Sequence, residues 1–181
     1  MAHIAAMITD TGAVKQLTDL SLLTIGPRAP EHEALAEEFI ALCKQADFDS
    51  AYSENIDQVL WDKWVFLATL AGMTTLCRGS VGDIVATPYG QELTLAMYEE
   101  CCSIAKASGQ AIGDIPKGKA IEMLTKVGSP FTASMLRDLI SGQKTEHEHI
   151  LGQMIGKGAQ AGMGCQLLKM AYTQIAVSQI K

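Results

Sequence analysis

The 181-residue chain contains no strand–GxGxxG–helix and no GxxxxGK followed by Ser or Thr, so the glycine loops that cradle nucleotide phosphates are absent from it. It also lacks clusters of basic residues. Lys plus Arg number 14 against 20 Asp plus Glu, and the net charge of −6 excludes the electrostatic footprint of a nucleic-acid or anionic-membrane binder. Long apolar runs are missing too. The longest stretch without a charge, Trp64 to Cys77, has fourteen residues, short of the ~20 needed to span a bilayer. Met1 to Asp10 lacks a basic segment followed by a continuous apolar core, so no signal peptide is expected and the chain is read as cytoplasmic. The five cysteines, Cys43, Cys77, Cys101, Cys102 and Cys165, include no CxxC spacing. Adjacent cysteines on a helix point in different directions and pair only under strain, so reduced, mostly buried thiols are expected.

What is present is apolar material in a chain long enough for one domain, or one domain plus a fragment of another. Hydrophobic residues make up 48% and charged ones 19%, with a mean hydropathy of +0.15. That composition excludes disorder and hints at a surface meant to be covered. Residues 1–55 mix two short apolar runs, His3–Ile8 and Leu20–Ile25, with one helical pattern over Glu31–Phe48. In that helix Leu35, Phe39, Leu42 and Cys43 recur at helical spacing and are expected to face inward, with Glu33, Glu37 and Glu38 solvated. From residue 56 on, the pattern is helical. A long, mostly buried helix is expected over Asp57–Arg78. Ser80-Val81-Gly82-Asp83 reads as a capping box, Thr87-Pro88 as an N-cap with proline at the first helical position, and Thr145 with Glu148 as a second box. Six to eight helices follow residue 55, in a mostly α chain with a small α/β part in front.

Four features could carry chemistry. Lys63 has Val59, Leu60, Phe66, Leu67 and Leu70 at helical neighbour positions, so it stands on an apolar stripe. Burial there lowers a lysine's pKa and suits it to proton donation; alternatively its stem packs while the ammonium reaches water. Glu146 and His149 make a lone E-x-x-H pair, too few ligands for a metal site, and Glu146 alone reads as a first-turn carboxylate. Ser134, near a helix start, could bind a polar ligand or serve as a cap. Gly156-x-Gly158-x-x-x-Gly162 has the wrong spacing for a dinucleotide loop and no strand before it, and is read as close helix packing.

In order and spacing, Leu60-Trp61-Asp62-Lys63-Trp64-Val65-Phe66, Pro88-Tyr89-Gly90-Gln91-Glu92-Leu93 with Glu99-Glu100, and Ser134-Met135-Leu136-Arg137-Asp138 followed by Thr145-Glu146 resemble the C-terminal half of ketopantoate reductases (2-dehydropantoate 2-reductases). The resemblance implies an all-helical domain of the 6-phosphogluconate dehydrogenase C-terminal type over residues 56–181. Residues 1–55 resemble the end of a Rossmann-type nucleotide-binding domain, including the Thr24-Ile25-Gly26 strand end. It implies reduction of a 2-keto acid with NADPH, on the route to pantothenate. By the same resemblance Lys63 is the general acid, while Ser134 and Glu146 hydrogen-bond the substrate, the Glu146 carboxylate by gripping the substrate's hydroxyl. The expected partners are a small 2-keto acid and either a second copy of the chain or a nucleotide-binding domain; no metal is implied.

The pattern departs from the family at Leu67, Ala71 and Phe131, where asparagines are common. These departures, with the missing glycine loop, keep a second reading open: a helical, dimeric ligand- or partner-binding protein of the same descent without the chemistry.

Overall fold

The computed structural model describes residues 1–9 and 11–180 and divides into two compact units, Met1–Leu60 and Trp61–Lys181. In the first unit, β1 (Ala2–Ile8) and β2 (Val14–Ile25) form an antiparallel hairpin. Its turn is closed by the Thr9 N–H on the Ala13 carbonyl at 2.9 Å, and Gly12 supplies the positive φ of +81° that the turn requires. A third strand, β3 (Asp49–Tyr52), lies parallel to β2, from Leu22 opposite Asp49 to Ile25 opposite Tyr52. The sheet order is β1-β2-β3. β3 is invisible to hydrophobic patterning because Asp49-Ser50-Ala51-Tyr52 carries no apolar alternation; pairing with β2 makes it a strand.

Between β2 and β3 runs α1 (Glu33–Cys43), shorter than the expected Glu31–Phe48, after a 3₁₀ turn at Pro30–His32. Its inward face is not the one the larger side chains suggest. Ala36, Ile40 and Cys43 are buried, while Leu35, Phe39 and Leu42 are 67%, 50% and 58% exposed. Small residues let the helix approach its neighbours, and the bulky stripe is left outside. The helix is thus apolar on both sides, one side packed and one bare.

The second unit begins within α2 (Ile56–Cys77) and continues through α3 (Val81–Val85), α4 (Gly90–Ala107), α5 (Asp114–Leu124) and α6 (Ser134–Ile140). A π-helical turn at Glu148–Gly152 then leads into α7 (Gln153–Gln160), and α8 (Gln166–Gln179) follows. From Val65 to Thr75, α2 is buried almost throughout. It lies against α4 and α8, for a Cβ on Gly72 would meet Met97 Sδ at 2.6 Å and the Ala171 Cβ at 3.7 Å. Thr69 and Thr74 satisfy their buried hydroxyls by donating to the Val65 and Leu70 carbonyls at 3.0 and 2.7 Å, and Thr75 donates likewise to Ala71. Met97, Tyr98, Cys101 and Ile104 of α4 and Leu168 and Ile175 of α8 complete the core. Burial pushes the Cys101 thiol up to about 12.

The Ser80–Asp83 capping box forms as expected, with the Asp83 N–H on Ser80 Oγ at 3.2 Å and the Ser80 N–H on Asp83 Oδ2 at 2.9 Å. The bonds from Ser80 hold the Asp83 carboxyl below its usual range. Two other expected caps are absent. Thr87 donates its hydroxyl back to the Ile84 carbonyl at 2.8 Å, and α4 starts at Gly90, where a Cβ would collide with that same carbonyl. The Thr145 hydroxyl bonds His147 Nδ1 at 2.8 Å, and the Glu148 carboxylate accepts the Tyr172 hydroxyl at 2.5 Å, so no Thr145–Glu148 box forms and a π turn follows instead. At α8 the cap comes from another helix. Cys165, in the left-handed region at φ +49°, offers no side-chain cap; the Glu100 carboxylate of α4 accepts the Leu167 and Leu168 N–H groups at 3.3 and 3.0 Å.

The Gly156/Gly158/Gly162 run is a packing feature at one position. A Cβ on Gly158 would run into Cys165 Sγ and press on Ile104 at 3.2 Å, whereas Gly156 faces open space. Gly158→Ala should therefore cost about 1–3 kcal/mol of stability through overpacking. Gly156→Ala should be neutral or stabilising by up to ~1 kcal/mol through helix propensity. Urea unfolding of the two variants against the parent checks the contrast.

Candidate functional site

Lys63 stands on α2 where the apolar stripe continues into Phe66, Leu67 and Leu70, and it is half-buried. Burial holds its pKa below the ordinary lysine value. Ser134 is the first residue of α6 and is exposed; the cap position belongs to Ala133, so Ser134 is not the helix cap. Glu146 is exposed and lies just ahead of the π-helical turn, with its carbonyl accepting the Ile150 N–H at 3.0 Å. All three fall within the second unit.

Contacts made by α2 tie the Ser134 and Glu146 segments to the helix that carries Lys63. One turn beyond Lys63, Phe66 stacks on Phe131, three residues before Ser134, with centroids 6.3 Å apart and planes 19° apart. Farther along, Thr74 Oγ1 accepts the Ala133 N–H at 3.4 Å. On the other flank the Trp64 indole N–H donates to the Ile150 carbonyl at 3.0 Å, while Trp61 packs on Trp64 with centroids 4.8 Å apart. Because Ile150 is itself bonded to Glu146, this indole anchors the turn that Glu146 opens. Sequence reasoning did not single out Trp64; a tryptophan beside a lysine carries no signal of an 86-residue leap to a backbone carbonyl. The π turn is equally silent in sequence.

The rest of the Thr145–His149 cluster is absorbed locally. The His147 ring packs on Tyr172 at 5.1 Å, and Tyr172 bonds Glu148. Among the described residues no three His, Cys, Asp or Glu side chains converge as a metal site, and no helix is long and apolar enough to cross a membrane.

The residues of the first unit do not fit a dinucleotide's phosphates. Gly12 sits in the hairpin turn, and Gly26 is required by packing, since a Cβ there would run into the Ser53 carbonyl. A cleft of about 400 Å³ beside it is lined mainly by Ile25, Pro27, Leu35 and Phe39. Its Arg28 is held by Asp57 at 2.9 Å. Among the described residues of this unit no glycine-rich loop leads from a strand into a helix N-terminus to present backbone N–H groups to a phosphate.

Residues 55–179 match the family model described as the C-terminal domain of the ketopantoate reductase PanE/ApbA family. The chain belongs to that family. Among curated relatives of this family, the uncharacterized oxidoreductase YkpB of Bacillus subtilis is 27% identical over 150 residues, covering 83% of this chain and 48% of YkpB. The 2-dehydropantoate 2-reductase of Archaeoglobus fulgidus is 25% identical over 130 residues, covering 72% of this chain and 43% of that enzyme. The chain thus spans about half the length of the curated relatives it matches. The crystal structure of the PanE/ApbA family ketopantoate reductase from Ralstonia eutropha JMP134 superposes with a TM-score of 0.85 at 18% identity, over 99% of this chain and 58% of that one. D-mandelate dehydrogenase with NADH and anilino(oxo)acetate superposes with a TM-score of 0.84 at 17% identity, over 99% and 59%. These similarities establish the fold: a mostly helical C-terminal domain of the ketopantoate reductase type.

The lowered pKa of Lys63 has a sign that can be measured. Between that value and the ordinary lysine value, the unfolded chain binds a proton that the folded chain does not, so the lysine's contribution to stability rises with pH over that window. Lys63→Met should be more stable than the parent at neutral pH, and the gap should close toward alkaline pH. Urea unfolding at a series of pH values checks this; a gap independent of pH would mean an ordinary, solvated lysine.

Proposed function

We propose that this chain is the substrate-side portion of a ketopantoate-reductase-like oxidoreductase that reduces 2-dehydropantoate or a related 2-keto acid to the 2-hydroxy acid, with NADPH as donor. The observation that carries the reading is Lys63, desolvated on the apolar stripe of a helix to which the Ser134 and Glu146 segments are both tied. Reduction of a keto group needs a proton on the carbonyl oxygen as the carbon is reduced. An ammonium that burial has made more acidic gives up its proton more readily, and it stabilises the developing alkoxide before transfer. In this reading Lys63 is that acid. The Ser134 hydroxyl and the Glu146 carboxylate hydrogen-bond the substrate and orient its carbonyl toward Nζ.

Hydride donation belongs to a nicotinamide cofactor bound by a nucleotide-binding half, to which residues 1–55 contribute their strands and helix; residues 56–181 form the substrate and dimerisation domain. The bare faces of the first unit support such a partner. Among the described residues β3 pairs only with β2, Leu35, Phe39 and Leu42 are exposed, and Ile8 and Val14 at the hairpin end are more than 70% exposed. A parallel strand pair normally has both faces covered, and a helix apolar on two sides normally lies between two layers. The alternative is a non-catalytic dimer that binds a ligand or partner, which draws on the same exposed faces.

Supplying the nucleotide-binding half and following NADPH oxidation with 2-dehydropantoate separates the two readings. Turnover is expected, and Lys63→Ala should reduce kcat by about 10²–10⁴-fold. Ser134→Ala and Glu146→Gln should act mainly by raising KM for the keto acid. Unchanged turnover in Lys63→Ala would overturn the assigned role of the lysine, and absence of turnover in the parent would favour the non-catalytic dimer.

A further inference from the structure

A cavity of about 500 Å³ lies in the helical unit where the end of α2 meets α3 and the start of α4, and Met73, Ile84 and Leu93 form its apolar wall. That size falls within the ~300–1,000 Å³ range of small-molecule sites, which are mostly apolar with a few placed polar groups. It is separate from the candidate site. Lys63 precedes Cys77, the last residue of α2 and part of the lining, by about four turns, roughly 20 Å along the helix axis.

Two charged side chains line the same cavity, Arg78 and Asp83, and among the described residues neither forms an ion pair, with the other or with any third group. The Arg78 guanidinium donates to the neutral Ser178 hydroxyl at 3.1 Å, which uses one of its five N–H donors. The Asp83 carboxylate is ionised, and the Ser80 N–H and hydroxyl both donate to its Oδ2, leaving Oδ1 as an acceptor. The Thr87 hydroxyl, also in the lining, is already spent on the Ile84 carbonyl. Arg78 also stands where glycine is usual. α2 ends in a Schellman turn, with the Gly79 N–H on the Thr74 carbonyl at 3.3 Å and Arg78 at φ +52°. An arginine held in the left-handed region carries a backbone cost that glycine would avoid.

We propose that this cavity binds a free α-amino acid with a branched aliphatic side chain, such as leucine, its carboxylate on Arg78 and its ammonium on Asp83. A simple anion would meet the Asp83 carboxylate as well as Arg78, and a simple cation the reverse. A zwitterion satisfies both charges at once, through charge-assisted hydrogen bonds. Its side chain leaves water against Met73, Ile84 and Leu93. The proposal does not depend on the reductase reading, because no residue of the candidate site takes part.

The test is calorimetric titration of the 181-residue chain with L-leucine, where saturable binding with a Kd of about 1 mM or tighter is expected. Three analogues each lack one feature: 4-methylpentanoate the ammonium, 3-methylbutylamine the carboxylate, and glycine the side chain. Each should bind at least ~10-fold more weakly. Arg78→Gly should weaken leucine by a similar factor while its thermal midpoint stays at or above the parent's, since glycine suits the left-handed position. Asp83→Asn should weaken leucine but leave 4-methylpentanoate unchanged or tighter, a pattern that loss of folding would not produce. Ser178→Ala, which cuts only the tie from Arg78 to α8, should keep leucine near the parent affinity. Absence of saturable leucine binding would overturn the site. Equal affinity for leucine and either charge-deleted analogue, or leucine binding indifferent to Arg78→Gly, would overturn the zwitterion assignment. Binding lost in Lys63→Met would place leucine at the candidate site and overturn the proposal.

Discussion

The burial of α2 sets the terms for the whole helical unit. A helix enclosed on most sides must offer its neighbours small or shape-matched surfaces and must leave no polar group unsatisfied. Gly72 provides the close approach to Met97 of α4 and Ala171 of α8, and Thr69, Thr74 and Thr75 turn their hydroxyls onto their own backbone. With those conditions met, the helix can be surrounded, and its residues become the reference frame against which the later segments are placed. Lys63 lies at the margin of that enclosure, where the surroundings are dry enough to perturb a cation without the full desolvation cost of a core position.

From that frame the candidate site follows as a consequence of packing. The segments ahead of Ser134 and after Glu146 are held by groups of α2: Phe66, one turn beyond Lys63, and Thr74, farther along, for the first, and Trp64, next to Lys63, for the second. None of these anchors is itself a proton donor or a substrate ligand in the proposed reaction. The division of labour is common in enzymes: rigid elements carry the geometry, and a few polar groups at their edges carry the chemistry.

Helix existence was legible in the sequence, and so was the one cap whose partners are adjacent, because Ser80 and Asp83 satisfy each other within a single turn. What could not be read depends on which of several competing local partners wins and on contacts between distant residues. Thr87 and Thr145 have cap-like spacing but find better partners in the Ile84 carbonyl and the His147 ring, so the boundaries shift. On α1 the spacing of large side chains points to Leu35, Phe39, Leu42 and Cys43 as the buried face, but of these only Cys43 is buried, alongside Ala36 and Ile40. β3 exists only because β2 is beside it. Of the candidate site, the half-buried place of Lys63 on an apolar stripe was legible from periodicity. Ser134 and Glu146 are candidates only through resemblance, since neither sits on a patterned face, and the ties that hold their segments to α2 cross more than fifty residues.

The capping of α8 by Glu100 bears on the order in which the chain can acquire structure. α8 is synthesised after α4 and α2, yet it delivers Leu168, Ala171 and Ile175 to the centre of the core those helices share. Until it arrives, a nascent chain holds α2 and α4 with an unfilled groove and with a carboxylate aimed at amides that do not yet exist. The free helix, in turn, lacks any side chain of its own to close its first turn. The cap and the core that α2, α4 and α8 share are therefore completed only when α8 docks. During translation the apolar surface that Leu168, Ala171 and Ile175 cover has no cover from α8 until that helix has emerged.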